Sequence, residues 1–240
     1  MSTMTPVDRE DPGERGSVPP DRDTVTDVIR QAKPRLRGWL HAGVTPLAVA
    51  AGIVLIVLAP TSLGQVGGAV FLAASLLLFG TSGLYHRFYW GARGEAILRR
   101  MDHANIYVFI AASYTPMALM MLTGISRVVL LSLIWTAALG GLLFRLFWLN
   151  APRWLYTALY LAMGWAALGW LKTFLDVGGP AVFTLIMVGG LLYSLGAVVY
   201  ARKRPDPSPR WFGYHEIFHA CTIAAFAAHY IAISMVTYAA

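Results

Sequence analysis

The sequence predicts an all-α protein: a bundle of seven transmembrane helices, N-terminus cytoplasmic and C-terminus extracytoplasmic. Three observations predict it. The 240 residues are 57% hydrophobic and only 13% charged, with a mean hydropathy of +0.58; a soluble domain has about 45–50% apolar and about 25% charged residues. The apolar residues fall into seven runs, each near the ~20 residues that cross a bilayer. The basic residues gather on alternate connections between those runs.

Residues 1–36 stand apart. "MSTMTPVDREDPGERGSVPPDRDTV" is polar, mixed in charge and rich in proline and glycine. Such a segment cannot bury a core and is expected to be a disordered cytoplasmic tail. It has no apolar stretch of the kind a cleaved signal peptide carries. A short surface helix over 24–37, broken by Pro34, is expected to lead into the membrane. Residues 37–240 form the membrane domain. Its runs cover 40–59, 65–86, 102–122, 127–148, 154–173, 180–200 and 213–236. Each is expected to be a helix, because lipid offers no partner to unpaired backbone groups and no ten-residue alternating strands are present. Pro116, Gly140, Gly141, Gly189 and Gly190 lie inside these runs, as is common in membrane helices.

The net charge of +7 and pI near 9.8 do not indicate nucleic-acid binding. Arg30, Lys33, Arg35 and Arg37 precede the first run. Arg87, Arg93, Arg99 and Arg100 lie between the second and third, Arg153 between the fourth and fifth, and Arg202, Lys203, Arg204 and Arg210 between the sixth and seventh. The opposite connections hold only Arg127 and Lys172. The positive-inside rule assigns the basic side to the cytoplasm. The single cysteine, Cys221, excludes an internal disulfide and reads as a small core residue.

Ionisable residues inside membrane spans are costly and point to function. With the topology above, odd runs begin and even runs end at the inner face. The second run ends in "SGLYH", with Ser82 and His86 at i, i+4 on one helix face. The third begins "RRMDHANIY", with Asp102 and His103. The seventh begins "FGYHEIFHA", with His215, Glu216 and His219. Three segments therefore bring Ser82, His86, Asp102, His215 and His219 to one membrane depth. Two histidines at i, i+4 can reach one ion. With a third imidazole the set suits catalytic zinc, which takes three protein ligands and leaves one position open. The metal ligands read as His86, His215 and His219. Asp102 is either a ligand or a partner that orients water or a histidine ring, or it pairs with Arg99 and Arg100. Ser82 either donates to a substrate oxygen or bonds its own helix backbone. Asp102 and Ser82 are the candidate catalytic residues. His103 points about 100° from Asp102 and lies outside the ligand set. His41 is read as an interfacial neighbour of the site. His229, about 15 Å deeper than His219, is read as an interhelical hydrogen-bond partner. Glu216, off the His215 direction, is expected to meet a basic loop residue such as Arg210.

These residues, with the stretches "GTSGLYHRF", "MDHANIYVFIAASYTPM" and "FGYHEIFHACTIAAFAAHY", resemble the hemolysin III proteins, the bacterial branch of the progestin and adipoQ receptor superfamily. The resemblance covers roughly residues 37–238. It implies a seven-helix bundle in the bacterial cell membrane and a Zn²⁺ ion held by His86, His215 and His219, with Asp102 and Ser82 beside it. It also implies a link to hydrolysis of ceramide-type lipid amides, and an association with red-cell lysis from which the branch takes its name. The segment "RLRGWLHAG" departs from the pattern, keeping His41 but not the acidic and amide residues that many bacterial members carry before it. The first expectation is a zinc-dependent hydrolase acting on a membrane lipid amide or ester. The second is a receptor-like or cytolytic protein in which zinc is structural. The third is an intramembrane zinc metalloprotease with Glu216 as base, suggested by H-E-x-x-H; it lacks a late aspartate as third ligand.

Overall fold

The computed structural model describes residues 36–148, 150–208 and 210–240. The expected tail over 1–36 and the surface helix over 24–37 fall outside the described residues except for Leu36 and Arg37, which form a turn. Among the described residues there is no β-strand, only an isolated bridge between Ser208 and Phe212.

Helix α1, Trp39–Leu58, begins at Gly38, whose φ of 84° is left-handed. A Cβ on Gly38 would stand 2.8 Å from the Arg87 backbone nitrogen. Only glycine allows both the dihedral and the approach. Helix α2 runs from Ser62 to Arg87. Thr61 caps it, its hydroxyl accepting from Gly64 N at 3.2 Å. Its register is interrupted by a π-helical turn at Leu76–Gly80 before the last stretch, Thr81–Arg87.

Helix α3, Ala92–Met121, has 30 residues. It starts ten residues before the apolar run expected from 102. Apart from Gly94, the segment "ARGEAILRR" is rich in good helix formers but is too polar to register as a span. Being 72% buried over its most apolar window, α3 is the central helix; α4, Gly124–Phe147, is 17% buried and peripheral.

Helix α5, Arg153–Gly164, passes through a 3₁₀ turn at Ala166–Trp170 into α6, Leu171–Arg202. Gly179, at φ 74° and ψ 175°, breaks α6 just before Pro180. Across that break the chain folds back on itself. The Trp165 indole donates to Ser194 Oγ at 3.0 Å, and Arg153 Nη1 donates to the Tyr200 carbonyl at 3.4 Å. Residues on either side of Gly179 thus meet, as in an antiparallel hairpin. Helix α7, Tyr214–Tyr238, packs chiefly on α6.

Among the described residues, six stretches are long and apolar enough to cross a membrane, Arg153–Arg202 being one of them. The chain is therefore a multi-pass membrane protein. Phe71, Phe79, Phe109 and Phe226 join α2, α3 and α7 at the centre, with Phe71 and Phe226 stacked at 5.4 Å. Exposed Trp39, Tyr89, Trp90, Trp148, Trp154 and Trp211 lie at the end where α1, α5 and α7 begin and α2 and α4 stop. They form an aromatic girdle of the kind found at a membrane–water interface. The buried polar cluster lies at that same end.

Candidate metal centre

The π turn in α2 inserts extra backbone just before the stretch that carries Ser82 and His86. Such turns recur at functional sites because they re-aim side chains within an otherwise regular helix. Asn105 of α3 secures it, donating from Nδ2 to the Leu77 carbonyl at 3.0 Å and to Thr81 Oγ1 at 3.1 Å. Ser82 and His86 are buried behind it, 2% and 8% exposed. At Gly83 a Cβ would come within 3.1 Å of Ala42 N and Cα. This glycine lets the start of α1 lie directly against the end of α2.

His215 and His219 occupy the first turns of α7. Glu216, between them, is fully buried and bound at both carboxylate oxygens. Oε2 accepts from Gly213 N at 2.8 Å, capping the first turn of α7, and Oε1 accepts from Arg37 Nε at 2.9 Å. The expected partner, Arg210, is replaced by Arg37, because the turn before α1 folds over the start of α7. Glu216 therefore ties α7 to the chain ahead of α1 and stands apart from the three-histidine group.

His86, His215 and His219 each place one ring nitrogen within 4.8 Å of the others. His215 Nε2 and His86 Nε2 are 3.2 Å apart. Two nitrogens bound to one zinc at about 2.0–2.1 Å would stand roughly 3.3 Å apart across a tetrahedral angle, so this spacing fits a shared ion. Asp102 Oδ2 lies 3.5 Å from His86 Nε2. It is not among the atoms that mutually converge within 4.8 Å, and the Ser82 hydroxyl sits against it. Asp102 thus reaches the centre beside His86, and its nearest basic side chain is that histidine rather than Arg99 or Arg100.

His103 faces the other way. Its Nδ1 lies 2.7 Å from the Arg99 carbonyl. A carbonyl only accepts, so Nδ1 carries the proton and Nε2 accepts from the Tyr200 hydroxyl at 3.2 Å. Tyr160 donates to the His103 carbonyl at 3.0 Å. This bonding anchors the first turns of α3 to α5 and α6 and holds Asp102 at its depth. His229 donates from Nε2 to the Ile186 carbonyl of α6 at 3.2 Å, an interhelical bond as expected. Cys221 packs its Cβ against Gly196 of α6.

His41 differs from the expectation of an interfacial side chain. It is 3% exposed. Its ring stacks on His219 with centroids 3.8 Å apart and planes 8° from parallel, and meets the edge of Phe79. The glycine-mediated contact between α1 and α2 draws it inward, a packing effect that helix phase does not encode. Asn105, Tyr200 and the Arg37–Glu216 pair likewise carried no signal in the sequence. Of these, only the polarity of Asn105, inside an apolar run, could have drawn notice.

A cavity of about 150 Å³ extends from this cluster. Asp102, His215 and His219 stand at its head, and its further wall is apolar, with Phe109, Met117 and Phe174. Every histidine except His86 lines it.

An all-helical multi-pass membrane protein with three histidines gathered at one end of the bundle is the class these features define. Residues 29–230 match the family model described as "Haemolysin-III related". A curated relative, "Hemolysin-3 homolog" of Bacillus subtilis (strain 168), is 34% identical over 164 residues, spanning 68% of this chain and 74% of the relative. "Hemolysin-3" of Bacillus cereus is 33% identical over 157 residues, 64% of this chain and 71% of the relative. The chain belongs to the haemolysin-III-related family, and as such is a multi-pass protein of the bacterial cell membrane.

Proposed function

We propose that the protein is a zinc-dependent hydrolase of a membrane lipid amide or ester. The observation that carries this reading is the three-histidine group, with Asp102 and Ser82 beside it, at the head of an apolar cavity. The chain is taken to cross the membrane seven times, with α5 and α6 folding back at Gly179 as the fifth and sixth crossings. The basic connections place the N-terminus and the site at the cytoplasmic face. Residues 1–36 are taken as a cytoplasmic tail.

His86, His215 and His219 would hold the ion. Zinc so held supplies Lewis acidity, which makes water a competent nucleophile near neutral pH. The lipid's apolar chain lies along Phe109, Met117 and Phe174, and its carbonyl reaches the histidines. Asp102 orients the attacking water and accepts its proton. Ser82 donates to the carbonyl oxygen as charge develops there. The carbon–nitrogen or carbon–oxygen bond then breaks, and the proton held on Asp102 passes to the leaving amine or alcohol.

The test is metal content and lipid hydrolysis by the purified full-length chain. About one zinc per chain is expected, as for a mononuclear three-histidine site. His219→Ala should lose both metal and turnover. Metal retained in wild type without hydrolysis of any amide or ester lipid would favour a second reading, structural zinc in a receptor-like or cytolytic protein. The linking of α2 to α7 through His86 and His215 supports that alternative.

A further inference from the structure

Residues 36–42 reach both helices that supply the three histidines. A Cβ on Gly38 would stand 2.8 Å from the Arg87 nitrogen and 3.0 Å from the carbonyl carbon and Cβ of His86, so the backbone here rests on a member of the group itself. Arg37 Nε donates to Glu216 Oε1 at 2.9 Å, between His215 and His219 in the chain. His41 lies flat on His219, and both of its nitrogens are sealed from water. His86 and His219 are 8% and 3% exposed. The α1 side of the group is therefore closed. The other approach is the cavity, whose further wall of Phe109, Met117 and Phe174 is apolar. A divalent ion gives up water only where other ligands replace it, and an apolar wall offers none. Its path lies through the polar end, under residues 36–38.

We propose that residues 36–38 are a strap over the metal centre, latched by Arg37 on Glu216 and hinged at Gly38, and that unlatching it is the step by which the ion enters and leaves. The contacts of Gly38 with α2 are packing contacts. The polar tie to α7 is the Arg37–Glu216 pair, and Arg37 is 21% exposed, so water competes for it. Gly38, at φ 84° between the turn and α1, is the residue at which the strap swings while α1 stays in place. Hinges of this kind are single positions at the end of an element. A latch acts on the population of the open state. Its removal speeds loading and release by one factor and leaves affinity unchanged. A contact that only shaped the ligand set would lower affinity instead. This inference rests on the metal part of the reading above and not on its lipid chemistry.

The experiment uses the purified full-length chain with Zn²⁺. Release is followed by mixing the loaded protein with an excess of a chelator that colours on binding zinc. Loading is followed by stopped flow, and affinity by competition titration. Arg37→Gln should load and release about five- to thirtyfold faster than wild type, the factor for losing an ion pair with one partner partly in water. Affinity should stay within about twofold. Arg37→Gln with Glu216→Gln leaves no unpaired buried charge; it should show the same acceleration and repeats the test should the single variant not fold. Unchanged rates in variants that bind zinc overturn the strap, the ion then passing along the cavity. Weaker affinity with loading no faster overturns it too, making Arg37 a support for the start of α7. A wild type that binds no zinc removes the metal reading itself, and this inference with it.

Discussion

Glu216 offers the sharpest division between the hydrolase and protease readings. In a metalloprotease of the H-E-x-x-H type this glutamate is the general base. Here both its oxygens are engaged, at 2.8 Å by Gly213 N and at 2.9 Å by Arg37 Nε. Glu216→Ala removes a capping interaction worth about 1 kcal/mol. It also leaves the Arg37 guanidinium without its carboxylate. Full burial of both partners would make that loss about 3–5 kcal/mol. Arg37 is 21% exposed, so water compensates in part and about 1–2 kcal/mol is the working figure. The sum is roughly 2–3 kcal/mol. Glu216→Gln keeps an amide oxygen for the cap and should lose only about 1–2 kcal/mol. Unfolding in mixed micelles, read beside zinc content and lipid turnover, checks these figures. The Ala variant should be clearly destabilised; the Gln variant should hold zinc and turn over lipid within a few-fold of wild type. The reasoning is refuted if Glu216→Gln unfolds as wild type does, keeps its metal, and loses turnover by the 10²–10⁴-fold typical of a missing base.

Asp102→Asn should retain zinc, because its carboxylate lies outside the converging ligand atoms, with affinity weakened by about 10–100-fold as for other outer-shell changes; turnover should fall by roughly 10²-fold or more, which paired metal titration and lipid assays would show. Asn105→Ala strips two hydrogen bonds from the π turn and should reduce stability by about 1–3 kcal/mol; zinc titration should show weaker binding, since that turn aims Ser82 and His86. Gly38→Ala forces a Cβ to 2.8 Å from Arg87 N at a φ of 84° and should destabilise by at least about 1 kcal/mol, with loss of zinc affinity as His86 is displaced.

Much of the bundle was legible in the sequence because the bilayer imposes a length and a composition on anything that crosses it. α1, α2, α4 and α7 begin and end within a few residues of the apolar runs that announce them. α5 and α6 depart from their runs, α5 stopping at Gly164 and α6 starting at Leu171, and α3 departs as well. α3 begins at Ala92 because helix propensity continues where hydropathy stops. The gathering of His86, His215 and His219 was also legible. Helices that alternate in direction place the end of one beside the start of the next, so residues at those ends share a depth.

Depth, however, is one coordinate. The position of each residue around its helix, and the distance between helices, follow from side-chain volume and backbone register. His41 lies inside because Gly38 and Gly83 let α1 approach α2 to backbone contact. Glu216 pairs with Arg37 because the turn before α1 covers the start of α7, a contact between residues at opposite ends of the chain. The π turn at Leu76–Gly80, held by Asn105, rotates Ser82 and His86 in a way no regular period describes. The sequence by itself determined a helical membrane bundle and the membrane level of its polar residues, because hydropathy and charge act through position along the membrane normal. The tertiary structure alone decided which of those residues touch, because contact depends on rotation and approach, and these are settled by packing among helices far apart in the chain.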